Sequence, residues 1–182
     1  MSGEAKNRFT IEEVQNLRVD ALYGKKKHYN AADRKKRYHT RLGVTQVVLN
    51  VLLGSYLFGA TSIAMPNALN WVVGILALVS ATSAALQTFY NFERQAELHR
   101  SIGTRYLAVA KECSRIIAYH RDGAIGATAL REQLEQLAQT CNQINADSEK
   151  CPTSDQDYEK AQQAFASGEE AYTAAEKEHR GE

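Results

Sequence analysis

Between residues 42 and 92 the sequence has no Asp, Glu, Lys, Arg or His, although charged residues make up 24% of the whole chain. A surface helix of a soluble protein carries charge on its outer face, so this gap excludes an ordinary soluble surface there. Proline is almost missing as well: Pro66 and Pro152 are the two in 182 residues. Long stretches without strong breakers suit helices, and no alternating strand pattern competes, so an all-α fold is expected. The three cysteines, Cys113, Cys141 and Cys151, are odd in number and match no zinc spacing. They fit reduced thiols in a cytosolic compartment better than a disulfide framework. His28, His39, His99 and His120 are scattered along the chain without a carboxylate or cysteine at ligand spacing, so no metal site is expected. A Walker-type glycine loop, a G-x-S-x-G elbow and a paired-carboxylate pattern are also missing; neither catalysis nor a cofactor is expected. Residues 1–10 are polar and hold no apolar core of the kind a cleaved signal peptide needs, so insertion is expected to rely on internal segments.

What the charge gap contains is two apolar stretches, 42–65 and 67–90. At about 1.5 Å per residue each is long enough to cross a hydrocarbon core of roughly 30 Å. Met65-Pro66-Asn67-Ala68 supplies the turn, because Pro66 cannot continue a helix and disfavours helical geometry at Met65. So short a connection makes the spans antiparallel neighbours. A buried hairpin in a soluble bundle is the competing reading, but the chain has too little other apolar material to cover two such helices. The expected organisation is therefore an N-terminal helical segment over 1–41, a transmembrane hairpin over 42–92 and a helical region over 93–182.

Orientation follows from the basic residues. Lys plus Arg, 22, nearly balance Asp plus Glu, 21, over the chain. Yet Lys25, Lys26, Lys27, Arg34, Lys35, Lys36, Arg37 and Arg41 crowd the approach to the first span, offset only by Asp33, while the Pro66 turn is uncharged. By the positive-inside rule both tails are expected in the cytoplasm, with Trp71 near the outer interface and Tyr90 and Phe92 near the inner one. Read alone, the basic run resembles a nucleic-acid patch. Beside a span, it is more simply a topology signal drawn to anionic lipid, and no direct nucleic-acid binding is expected.

The remaining segments read as amphipathic helices. A capping box at Thr10 and Glu13, with Phe9 stapling onto Val14, predicts a first helix from about Ile11; its thin apolar side is Val14, Leu17, Ala21 and Leu22. Leu98, Ile102, Tyr106, Val109, Cys113 and Ile116 recur at steps of three and four and predict a helix over about 93–120. Gly123 and Gly126 break it, and Leu130, Leu134, Leu137, Cys141 and Ile144 form a second stripe. The two stripes are expected to pair as a hairpin that controls the spans. Ser154 and Asp157 cap a last helix whose weak face is Tyr158, Ala161, Phe165 and Tyr172, before a charged tail over 176–182.

Each span carries a polar and small line. Gly43, Gln46, Asn50, Gly54, Leu57 and Thr61 share one face of the first, and Asn70, Gly74, Ala77, Ala81, Ala84 and Thr88 one face of the second. Close helix packing with interhelical hydrogen bonds is the plain reading. The sharper one is that these lines turn toward water when several hairpins assemble, since amides in hydrocarbon are costly without partners. One hairpin cannot enclose a pore, so a channel requires a homo-oligomer, with Gln46 and Asn50 the best lining candidates.

Lys26-Lys27-His28-Tyr29-Asn30-Ala31-Ala32 ahead of the first span, the short-looped hairpin, and Ala96-x-x-His99 with Arg105-Tyr106 after it resemble a SLATT domain. The resemblance runs from about Leu17 into the final helix. It implies a membrane effector of bacterial conflict and antiviral systems, one that forms pores or disrupts the inner membrane when a partner signals infection, with growth arrest or cell death as the outcome. It implies no catalytic residues. The partner it suggests is an enzyme that makes a nucleotide signal, or another sensor of the same system. A different function for the same architecture is a membrane-anchored scaffold that recruits a cytosolic partner and conducts nothing.

Overall fold

A computed structural model describes residues 4–60 and 67–168. Five α-helices and no strand occur among them: α1 (Glu4–Ala60), α2 (Asn67–Tyr90), α3 (Phe92–Arg121), α4 (Ala127–Ser148) and α5 (Asp155–Ala166). The chain divides into two compact units, one of Met1–Ala32 with Glu97–Glu182, the other Asp33–Ala96. The break between the units thus falls inside α1, and its N-terminal part groups with α3, α4 and α5.

The first unit is a helical bundle with a conventional core. Its centre is Val14 and Ala21 of α1, Ile102, Tyr106, Val109, Cys113 and Ile116 of α3, and Leu130, Cys141 and Ile144 of α4. The stripes of α3 and α4 thus meet, and α1 closes the bundle. Leu98 is the exception: it is 45% exposed, while His99, one residue on, is 2% exposed. A repeat at threes and fours leaves the phase open by one residue, and the helix settles on 99, 102, 106 and 109. Leu134 and Leu137 are partly buried against the core.

The helix ends show the expected chemistry with one correction. Gly123 has a φ of 66° and lies past the end of α3, where its N–H reaches the carbonyl of His120 and Ala124 N–H that of Tyr119. Glycine adopts that left-handed conformation without the Cβ clash that opposes it elsewhere. At α5 the Asp157 carboxylate accepts hydrogen bonds from the Ser154 N–H and hydroxyl, both at 2.9 Å. The start expected at Thr10 is not a start, because α1 is already helical from Glu4 and Phe9 is exposed rather than stapled to Val14. On α5 the buried positions are Asp157, Ala161 and Ala164, so Tyr158 turns out to be nearly half exposed.

Two glycines set how closely α1 and α3 approach. A Cβ on Gly24 would sit 2.9 Å from the Tyr106 ring, and one on Gly103 would sit 2.5 Å from the Tyr29 ring. Each helix therefore seats an aromatic ring on the other's glycine. The rings are held in place: Tyr106 donates to Asn145 Oδ1, and the Tyr29 hydroxyl lies 3.2 Å from Thr104 Oγ1. Tyr23 stacks on Phe165 at 4.1 Å between centroids, which fastens α5 to α1.

The second unit is the antiparallel pair formed by the C-terminal part of α1 and by α2. α2 has 24 residues, about 36 Å of helix and enough to span a bilayer core. The most apolar 18-residue windows of the two spanning helices have mean hydropathies of 1.5 and 1.8 and are 0% and 6% buried. Core helices of a soluble protein would be mostly buried, so these exposed apolar faces suit a bilayer. Asn91, at φ 43°, separates α2 from α3, and its Oδ1 accepts from the N–H of Arg94. Thr61, Met65 and Pro66 lie outside the described residues, as do Tyr172 and the tail over 176–182.

Candidate functional site

The hairpin places its polar side chains unequally. Half-buried or buried positions along the middle of the pair include Gly43, Gln46, Leu49, Leu53 and Tyr56 on α1, and Val73, Leu76, Ser80, Ser83, Ala84 and Gln87 on α2. These are the faces the two helices turn to each other. Asn50 Oδ1 accepts from the Ser80 hydroxyl at 2.8 Å, and Asn70 Oδ1 accepts from the Tyr56 hydroxyl. At the opposite end Gln87 Nε2 lies 3.4 Å from His39 Nδ1. Ser55, Thr82 and Thr88 donate to the carbonyl four residues back in their own helix, which satisfies a hydroxyl in lipid without a neighbour.

Four amide side chains are described within the helices of the pair, Gln46, Asn50, Asn70 and Gln87, and the last three are thus engaged. Gln46, half-buried, makes no side-chain hydrogen bond among the described residues. Gly54 and Gly74 face open space, with no atom within 4 Å of where a Cβ would stand. The first line thus meets α2 through Gly43, Gln46 and Asn50, while Gly54 and Leu57 are exposed; of the second line, Asn70 and Ala84 meet α1, and Gly74, Ala77, Ala81 and Thr88 are exposed. The helix phase brings Val73, Leu76 and Ser80 to α1 instead.

The basic residues separate between the units. Lys25, Lys26 and Lys27 are half-buried in the helical bundle. Arg34 and Lys35, half-buried, and Lys36, Arg37 and Arg41, exposed, belong to the hairpin unit directly before its first span. There Lys35 stands 5.7 Å from the centre of the Phe92 ring, and Tyr38 packs on the same ring at 5.8 Å. The aromatic belt therefore lies beside cations, the arrangement found where a helix leaves the hydrocarbon.

In the bundle, most of the residues expected to exert control are buried in the core. Leu130 is fully buried, and Ile102, Tyr106 and Val109 are at most 5% exposed. Arg105 Nη1 bonds Asp147 Oδ2 at 2.7 Å across α3 and α4. Hydrogen bonds from Arg105 and then Lys150 hold the Asp147 carboxyl below the usual carboxylate range. Burial pushes the Cys113 thiol up to about 11, so it is neutral and inert at physiological pH.

One further constellation has no counterpart in the sequence spacing. His28 of α1, His99 of α3 and Cys151, just before α5, are all buried and bring their ligand atoms within 4.8 Å of one another. The two Nδ1 atoms are 3.1 Å apart. Burial, and next the neighbouring His99, lower the His28 pKa to about 4, so its imidazole is neutral. No local pattern signals the cluster, because its three residues come from three elements far apart in the chain.

Two unburied apolar helices, antiparallel and joined to a helical bundle, define a two-span integral membrane protein. The chain belongs to the SMODS and SLOG-associating 2TM effector domain family 4, which matches residues 11–178. It is thus a SLATT-type membrane effector domain of the kind found in conflict and defence systems. No curated protein and no solved structure matches it.

Proposed function

We propose that this effector acts by assembling hairpins side by side in the bacterial inner membrane, through the faces α1 and α2 leave open, into a leak that arrests or kills the cell. The observation that carries the reading is Gln46, an amide with no side-chain hydrogen bond among the described residues and only half covered by α2, so that part of it stays exposed at the edge of the pair. An amide in hydrocarbon is costly until it meets another polar group or water, and a second hairpin supplies either. Gly54 and Gly74 support it, because open glycines on a span allow another backbone to approach closely. Asn50 is bound to Ser80 and serves first to register the hairpin; Gln46 is the stronger lining candidate.

In this reading the tails lie in the cytoplasm, Arg34 to Arg41 hold the inner end at anionic headgroups, and the bundle keeps the hairpin quiet. A sensor, such as an enzyme producing a nucleotide signal, repacks the bundle and so permits hairpins to assemble. Cross-linking tests the assembly. Cysteine placed at Gly74 or Ala81 should form disulfides between copies in membranes of cells where the protein is toxic, whereas cysteine at Leu76, which faces α1, should not. Equal cross-linking at all three positions, or none at any, would remove the proposed face.

A further inference from the structure

We propose that His28, His99 and Cys151 form a binding site for a zinc ion that staples α1, α3 and the start of α5 together. The inference is independent of the leak, since it concerns the helical bundle alone. The three residues are 2%, 2% and 6% exposed, so they are already desolvated and aimed at one point in the core. With zinc–nitrogen bonds of about 2.0 Å and zinc–sulfur bonds of about 2.3 Å, tetrahedral ligands stand roughly 3.3 Å (N to N) and 3.6 Å (N to S) apart. The two Nδ1 atoms are 3.1 Å apart, and all three ligand atoms fall within 4.8 Å of one another. An N–H···N bond would account for the histidine pair and leave the sulfur's convergence on it without a reason.

The donor set also selects the metal. Two imidazoles and a thiolate suit zinc among the common cations, while magnesium and calcium require oxygen ligands. Imidazole ligates through a ring nitrogen that carries no proton, and the two Nδ1 atoms already face each other. Asp157 is 1% exposed and lies on α5, just past Cys151 in the chain. A buried carboxylate in the same core is the kind of group that offsets the charge of a bound cation in zinc sites. The Ser154 cap and the bond from Asn30 Nδ2 to the Asp157 carbonyl fix that residue to α1. Because the ligands lie in three separate elements, the ion would close two long loops of chain and add its binding free energy to the bundle.

The test uses the full-length chain purified in detergent without chelator. Elemental analysis should find about one zinc per chain, as a single tetrahedral site requires. Exchange into cobalt should give the visible bands of a tetrahedral ion and an ultraviolet thiolate-to-cobalt band. Cys151→Ser should abolish the ultraviolet band, while Cys113→Ser and Cys141→Ser, buried cysteines elsewhere in the bundle, should keep it. His99→Gln should lower cobalt affinity by an order of magnitude or more, with circular dichroism confirming that the helices remain. A folded wild type that takes up neither zinc nor cobalt would overturn the proposal. So would a cobalt band that survives Cys151→Ser and disappears with Cys113→Ser or Cys141→Ser.

Discussion

Gly103→Ala should loosen the helical bundle although alanine is the better helix former. In an open helix the exchange would gain about 1 kcal/mol from propensity. Here the new methyl would meet the Tyr29 ring at 2.5 and 2.6 Å and the Lys25 carbonyl oxygen at 3.3 Å. The ring cannot swing aside freely, since its hydroxyl is paired with Thr104 and Arg100 lies 5.8 Å over its face. α1 and α3 must therefore separate; overpacking of this kind costs about 1–3 kcal/mol, and the neighbouring core loosens with it. Contacts this short call for the upper part of that range, about 2–3 kcal/mol, so after the propensity gain of about 1 kcal/mol the net expectation is a loss of about 1–2 kcal/mol, a factor of roughly 5–30 in the opening equilibrium. Hydrogen exchange of the full chain in detergent, followed in peptides from α3 and α4, reads that factor directly. Gly54→Ala, where no atom lies within 4 Å, is the matched control and should leave those peptides unchanged. Protection that stays equal or rises in Gly103→Ala would refute the reasoning, because it would mean that propensity outweighs the crowding at the helix crossing.

Other outcomes follow from the same packing. Leu130→Ala should destabilise the bundle by about 2–5 kcal/mol in thermal unfolding, the usual cost of emptying a fully buried leucine site, whereas Leu98→Ala, at an exposed position, should cost little. Tyr23→Ala should speed exchange in α5 while sparing the α3–α4 pairing, because the Phe165 stack fastens that helix. The Cys113 thiol titrates near 11 when folded against an ordinary 9.0, so the folded state favours its neutral form. That contribution is complete below pH 9 and is lost as the pH rises toward 11; Cys113→Ala should flatten this part of a stability profile.

The hairpin was legible because its cause is local: a run without charge, long enough for two spans, is visible in the string of residues. α2 occupies 67–90 as expected, and the Ser154–Asp157 cap forms where the pattern places it. Phase was less legible. A repeat of threes and fours describes a stripe one or two residues wide, so the pattern puts Leu98 and Tyr158 on faces that His99 and Asp157 occupy. Pairing across the sequence was not legible at all. That α1 joins the C-terminal helices depends on Gly24 meeting Tyr106 and Gly103 meeting Tyr29, and neither glycine carries a sign of its partner. The convergence of His28, His99 and Cys151 is a product of that same pairing.

The central claim is that the hairpin makes membranes leak and that Gln46 lines the path. Membrane potential in bacteria, read with a voltage-sensitive dye after induced expression, tests it most directly. The account predicts depolarisation by the wild type and its loss in Gln46→Leu at equal membrane abundance, with Asn50→Leu weakening the hairpin as well as the leak. Depolarisation undiminished in Gln46→Leu would contradict the lining. A potential that never falls, in cells that the wild type nonetheless arrests, would contradict the leak itself and leave a membrane-anchored scaffold that conducts nothing.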